Sequence, residues 1–241
     1  MKIIAATKAG VNKFENEDRI IINRTILSGG ILTVDFDGGI LAIADGVGGN
    51  NAGAVASHYI ANRIGEISTL SGNLFAEINK ELVEKSNTSD QLRKMATTLS
   101  GIQMSGNRIL LFNVGNTRVY SLQSEKYLKQ LTSDDTTVNY LLARGQITTE
   151  DAEKFDKKNE IVACFGGGNE ILLDIKLSDI TNMNVTTFII TSDGIHDYVS
   201  IDELEDIFEE QSSMDVTCQK LMAKAIENGS CDDMSIMIGV V

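Results

Sequence analysis

Ile40-Leu41-Ala42-Ile43-Ala44-Asp45-Gly46 is the stretch from which this chain is best read. Five unbroken apolar residues read as a buried strand, and the Asp-Gly that follows sets a carboxylate where the strand stops. The pattern recurs. Thr187-Phe188-Ile189-Ile190-Thr191-Ser192 runs into Asp193-Gly194. Asp232-Asp233 instead precedes an apolar run, Met234-Ser235-Ile236-Met237-Ile238, and Glu17-Asp18 is a fourth acidic signature. A strand antiparallel to the others begins where they finish, so Asp232 can join Asp45 and Asp193 at one sheet edge. Packed carboxylates repel one another unless protons or cations neutralise them. The economical reading is a site for hard divalent metals. Either Asp-Gly alone also reads as a simple turn after a strand.

Residues 2–9, 18–27, 31–36 and 39–44 are short, rich in Ile, Val and Leu, and split by turn signals, as in an antiparallel sheet. Ala52, Val55, Ala56, Tyr59, Ile60 and Ile64 recur at helical spacing, and a second helix is expected over Leu74–Lys85. Asn87-Thr88-Ser89-Asp90 reads as the cap of a third helix or an interruption of the second. Strands are expected at 97–104, 108–114, 117–122 and 127–131, then short helices at 136–144 and 149–155. Strands near 161–164 and 171–177 precede the one ending at Asp193. Helices at 201–210 and 214–228 lead to the last strand. Many strands with helices inserted in pairs predict an α+β fold of stacked antiparallel sheets with helices outside. There is no internal repeat, low-complexity tract or linker, so residues 1–241 are read as one domain.

A hydrophobic share of 42% suffices for a substantial core. The net charge of −13 argues against nonspecific binding to nucleic acid or an anionic membrane. Most of that acidity must be solvated surface. Cys164, Cys218 and Cys231 form no CxxC and no disulfide framework, which fits a reducing compartment. Cys231 adjoins Asp232, but a small idle thiol is the simpler reading. The N-terminal apolar core is too short for a signal peptide, and no stretch is long enough to span a membrane. The expected location is the cytoplasm. With no proline or tryptophan, turns rest on Gly, Asn, Asp and Ser, as at Asp37-Gly38-Gly39 and Ser105-Gly106-Asn107.

In order, the motifs are Asn16-Glu17-Asp18, Ala44-Asp45-Gly46-Val47-Gly48-Gly49, Ala96-Thr97-Thr98-Leu99 and Asn113-Val114-Gly115-Asn116-Thr117-Arg118-Val119-Tyr120. Leu131-Thr132-Ser133-Asp134, Gly145-Gln146-Ile147-Thr148, Thr191-Ser192-Asp193-Gly194-Ile195 and Gly229-Ser230-Cys231-Asp232-Asp233-Met234-Ser235 follow. Each is weak alone. Together, in this order and over nearly the full length, they resemble the type-2C metal-dependent protein serine/threonine phosphatases, most closely the bacterial single-domain branch. The resemblance implies an α-β-β-α sandwich. It also implies hydrolysis of phosphoserine and phosphothreonine by a hydroxide that bridges two Mn²⁺ or Mg²⁺ ions and attacks phosphorus in line. Asp45 matches the aspartate that bridges both metals and the Gly46 carbonyl a ligand of one. Asp193 and Asp232 match the carboxylates on the other. Glu17 and Asp18 match residues that hold metal-bound waters. Two cations about 3.5–4 Å apart activate the water between them and stabilise attacking and leaving oxygens. With two His and no Cys pair, a zinc site is not expected.

The departures are informative. Lys13 stands where the family has a phosphate-binding arginine, supplying charge without a bidentate fork; it also reads as a solvated loop lysine. Val47 and Asn50 replace the histidine often proposed as general acid. His196 is the remaining candidate for that role, against a surface or capping histidine, and His58 reads as structural or exposed. Asn116 replaces an aspartate that helps bind a third metal, so that site is expected to be weak or absent. Asp233 replaces the usual asparagine and is read as a neighbour of the ligand Asp232. Gly48-Gly49 reads as a phosphate approach or as a flexible turn. Residues 144–159 correspond to the family's flap, beside the active site. The implied partners are phosphorylated proteins and an opposing eukaryotic-like serine/threonine kinase. Two other readings are a weak or inactive pseudophosphatase acting as a phosphoprotein-binding or sensing module, and a phosphohydrolase of another fold acting on small esters.

Overall fold

The computed structural model describes residues 1–47, 52–168, 173–183 and 185–240. The chain opens with β1 (Lys2–Lys8), β2 (Arg19–Ile22), β3 (Thr25–Leu27), β4 (Gly30–Asp35), β5 (Gly39–Ala44) and β6 (Gly46–Val47). Helices α1 (Ala52–Gly65) and α2 (Gly72–Ser86) follow. Next come β7 (Ala96–Thr97), β8 (Leu99–Ser105), β9 (Arg108–Val114), β10 (Arg118–Gln123) and β11 (Tyr127–Gln130). Short helices α3 (Thr137–Ala143) and α4 (Thr149–Glu153) precede β12 (Phe165–Gly166), β13 (Lys176–Asp179) and β14 (Thr187–Thr191). The chain closes with α5 (Asp193–His196), α6 (Ile201–Glu209), α7 (Met214–Glu227) and β15 (Met234–Val240).

One six-stranded sheet has the order β11-β10-β14-β15-β1-β4 and the other β13-β9-β8-β5-β2-β3; β12-β7-β6 form a small third sheet. The two large sheets face each other because their strands alternate two apolar faces. In β5, Leu41 and Ile43 point between the sheets with Ile3, Ala5, Ile20, Ile22, Phe188 and Ile190. Ile40, Ala42 and Ala44 point the other way, against Ile60, Ile64, Phe75 and Ile78 of α1 and α2. On the second sheet Ile4, Ala6, Ile189, Ile236 and Ile238 meet Leu204, Cys218, Leu221 and Ala225 of α6 and α7. Strands covered on both faces have no polar side to show, which is why they read as continuous apolar runs. The result is the expected α-β-β-α sandwich. Among the described residues no helix is long and apolar enough to cross a membrane.

Local signals set the helix ends. Ser71 Oγ accepts from Leu74 N at the start of α2. Thr148 with Asp151, and Ser200 with Glu203, close capping boxes on α4 and α6. Three expectations are revised. Residues 18–27 form two strands, because Asn23 turns the chain at φ 53° and its side chain bonds Gly38 O and Ile40 N. Residues 161–164 are not a strand: Ile161 makes only an isolated bridge to Thr136, and the pairing shifts to Phe165–Gly166. The strand expected at 171–177 begins at Lys176; residues 171 and 172 lie outside the described residues. The segment after α2 is a single 3₁₀ turn, Asp90–Leu92.

Phe188 is 1% exposed in the layer between the sheets. Phe188→Ala should therefore cost about 3–5 kcal/mol in equilibrium denaturation, the range for emptying a packed aromatic site; a cost below about 1 kcal/mol would mean the sheets do not interlock there.

Candidate active site

The acidic signatures meet at one end of the sandwich because of strand register. β5 ends at Ala44, opposite Arg19 at the start of β2, so Asp45 and Asp18 are neighbours. β14 runs antiparallel to β15 with Thr191 opposite Ile236, which brings Asp193 beside Asp232 and Asp233. Asp45 and Asp193 are near enough to shift each other's pKa, and Asp18 and Asp232 add their charge to Asp45.

Hydrogen bonds hold several of these residues by backbone or side chain. Thr98 N and Thr97 Oγ1 both donate to Asp45 O at 2.8 Å, and Asp45 N donates to Thr98 Oγ1 at 3.1 Å. Thr98 Oγ1 is 2.7 Å from Thr117 Oγ1. Asn116 Nδ2 donates to Asp193 Oδ2 at 3.0 Å. Ser192 Oγ donates to Asp18 Oδ2 at 2.7 Å. Glu17 Oε1 accepts from Ala54 N in the first turn of α1, at 3.2 Å. Gly46 and Gly53 pack backbone to backbone, so a Cβ on Gly53 would lie 2.7 Å from both Gly46 C and Glu17 Oε1. Asp233 takes a structural role, accepting from Gly10 N at 2.9 Å and Glu17 N at 2.8 Å.

The electrostatics follow from this crowding. Burial first, then the charges of Asp193, Asp18 and Asp232, push the Asp45 carboxyl well above the usual range. Burial and Asp232 raise Asp193, with Asn116 opposing. Asp18, fully buried, is pushed up to about 7, mainly by desolvation, although hydrogen bonds from serines oppose it. Its Oδ1 has no hydrogen-bond partner among the described residues. Burial would lower the Lys13 ammonium, but its contacts with Asp232 and Asp233 outweigh that and raise it. Lys13 ion-pairs with Asp232, and with Asp233 at 3.1 Å.

An all-oxygen donor set with raised carboxyl pKa values and an orphaned buried oxygen suits hard divalent cations. Among the described residues no three or more His, Cys, Asp or Glu side chains come together closely enough to hold one metal ion between them. Mg²⁺- and Mn²⁺-type sites need no such group, because each ion keeps waters and takes one or two carboxylates.

His196, expected at the surface or as a candidate general acid, is buried away from the cleft surface. It closes the single turn of α5, facing inward; its side chain is 1% exposed and Nδ1 lies 2.8 Å from Thr191 Oγ1. Burial, with Arg118 nearby, holds its pKa well below the usual value, so the ring is neutral. His58 is exposed on α1, and Cys231 is exposed at the rim. The expectations for Gly48, Gly49 and Asn50 fall outside the described residues.

A cavity of about 510 Å³ opens beside Asn116, lined also by Arg118, Asp134, Lys158, Asn159 and Asp197. Arg118 is committed to Asp134, with Nη2–Oδ2 at 2.7 Å and Nε–Oδ2 at 3.0 Å. Asn159, at the end of the 144–159 segment, donates to Asp197. Lys158 and Asn159, at the end of the segment expected to be the flap, thus line one side of this cavity. Burial, then the charge of Asp193, pushes the Asp197 carboxyl up to about 7. Thr97, Thr98, Ser192 and Asp197 had no assigned role in the sequence. For the threonines and Ser192 the signal lay in the motifs themselves, each carrying hydroxyls next to a carboxylate or paired with its strand.

The family profile described as Protein phosphatase 2C matches residues 31–228. The chain belongs to that family. It is 28% identical to the serine/threonine phosphatase stp of Listeria welshimeri over 96% of this chain and 92% of the relative. It is 27% identical to protein phosphatase PhpP of Streptococcus pneumoniae over 99% and 96%. The Mycobacterium tuberculosis serine/threonine phosphatase PstP/Ppp superposes with a TM-score of 0.78 at 24% identity, covering 100% of this chain and 99% of that one. A structure of the PstP catalytic domain in complex with two manganese ions gives 0.73 at 24% identity, over 99% and 98%.

The folded Asp18 carboxyl titrates near 7 against 3.8 unperturbed, and Asp45 and Asp193 are raised as well. Between about pH 4 and 7 the folded chain then binds more protons than the unfolded one, and these groups make stability fall as pH rises. A divalent cation replaces the protons. Mn²⁺ should raise Tm more at about pH 7.5 than at about pH 5; equal shifts would contradict this electrostatic account.

Proposed function

We propose that the chain is a divalent-metal-dependent protein phosphatase that hydrolyses phosphoserine and phosphothreonine in proteins. The observation that carries this reading is that strand register brings Asp18 and Asp45 from one sheet and Asp193 and Asp232 from the other to the same end of the sandwich, where Asn116, the hydrogen-bond partner of Asp193, lines an open cleft. Membership of the 2C family and the names of its relatives support it. Asp45, the Gly46 carbonyl, Asp193 and Asp232 would hold two Mn²⁺ or Mg²⁺ ions, with Glu17 and Asp18 outside them. When bound, such a pair supplies a nucleophilic water of lowered pKa and a charge clamp for the phosphoryl oxygens.

The chain's own residues do the rest. Thr97 and Thr98 fix the backbone of Asp45, and Asn116 fixes the Asp193 carboxylate. Lys13 brings the one ammonium that touches the carboxylate cluster among the described residues, and it meets an incoming phosphate there. With His196 buried, Asp197, a cleft residue whose carboxyl burial pushes up to about 7, is the candidate side chain to protonate the leaving oxygen. Asn116 is neutral and spends its amide on Asp193, which supports a weak or absent third metal site. Residues 1–241 act as one catalytic domain with residues 144–159 as its flap. Free thiols at Cys164, Cys218 and Cys231 fit work in the reducing cytoplasm. A eukaryotic-like serine/threonine kinase is the natural opposing partner.

The test is phosphate release from a phosphothreonine peptide with Mn²⁺, with and without EDTA. Release should require the metal. Asp193→Asn should lower kcat by roughly 100-fold or more, beyond what loss of an outer-shell partner costs, while circular dichroism stays unchanged. No release from the wild type alongside calorimetric Mn²⁺ binding would favour a sensing module instead.

A further inference from the structure

Phe14 is the one fully exposed residue among eight phenylalanines, at 106% relative accessibility. A lone exposed apolar side chain means little. This one, however, rides on a pinned loop at the edge of the site. Lys13 N donates to Gly10 O at 3.1 Å, closing a turn with Asn12 at φ 70°. Gly10 N and Glu17 N, on either side of the loop, both donate to the buried Asp233 carboxylate. Gly10 must be glycine, since a Cβ there would lie 2.2 Å from Cys231 O. The Lys13 ammonium ties the crest to Asp232 and Asp233. A second exposed apolar side chain, Val11, lies in the same turn.

We infer that Phe14 is a substrate-contacting specificity residue whose ring receives an apolar side chain next to the phosphorylated serine or threonine of a polypeptide. The inference rests on the phosphatase reading. A phosphate that reaches the carboxylate cluster passes Lys13. The residues flanking it then lie within about 3.3–3.6 Å per residue of that point, over the rim. Phe14 is the next side chain beyond Lys13. The acidity of the chain disfavours acidic flanks there, and the exposed ring offers the complementary contact to apolar ones.

The experiment compares two phosphothreonine peptides with Mn²⁺ that differ only in carrying leucine or serine at the positions on both sides of the phosphothreonine. The wild type should favour the leucine peptide in kcat/KM on the order of fivefold, the effect of a partly buried side-chain contact. Phe14→Ala should bring the ratio near one through KM, and Phe14→Leu should keep most of it. A ratio near one in the wild type, or a ratio that survives Phe14→Ala, overturns the inference and leaves the phosphatase reading standing. No metal-dependent release from either peptide overturns that reading and this inference with it.

Discussion

Asp18, Asp45, Asp193 and Asp232 cannot all carry charge at close quarters without a neutralising partner, and the rest of the molecule is arranged around that repulsion. The two sheets contribute from opposite sides: Asp18 and Asp45 come from one, Asp193 and Asp232 from the other. Hydrogen bonds from Thr97, Thr98, Ser192 and Asn116 hold the group together. The donors that reach carboxylates, Ser192 on Asp18 and Asn116 on Asp193, favour the ionised form, while burial opposes it, so the site stands ready to exchange protons for cations.

Much of this was legible along the chain. Unbroken apolar runs such as Ile40–Ala44 could only belong to strands covered on both faces, and the three apolar clusters divide those residues between the two sides as a period of two requires. The carboxylates were legible because each sits within two residues of a strand end. What was not legible depends on contacts far apart in sequence or on a local turn. The grip of Thr97 and Thr98 on Asp45 spans about fifty residues, so their motif could be quoted without a role. His196 was misread because one turn of α5 points it inward, and spacing from Asp193 does not reveal direction. The strand expected at 161–164 failed because Ile161 and Val162 pair with the loop at Thr136 and Asp135 instead of with a sheet.

The departures from the family pattern fall into place beside one another. Asp233, where asparagine is usual, brings a buried negative charge, and Lys13, where arginine is usual, lies against it. The two substitutions compensate electrostatically. Asn116 removes a charge on the cleft side of Asp193 and replaces it with a hydrogen-bond donor. That lessens the repulsion at the centre.

The central claim is that the carboxylate cluster is built to trade protons for divalent ions. Mn²⁺ titration calorimetry at about pH 6, repeated in buffers of different ionisation enthalpy, measures both sides of that exchange. The account predicts two Mn²⁺ per chain with net proton release, because carboxyls raised toward pH 7 must ionise to bind. Binding without proton release, or no binding at all, would contradict it.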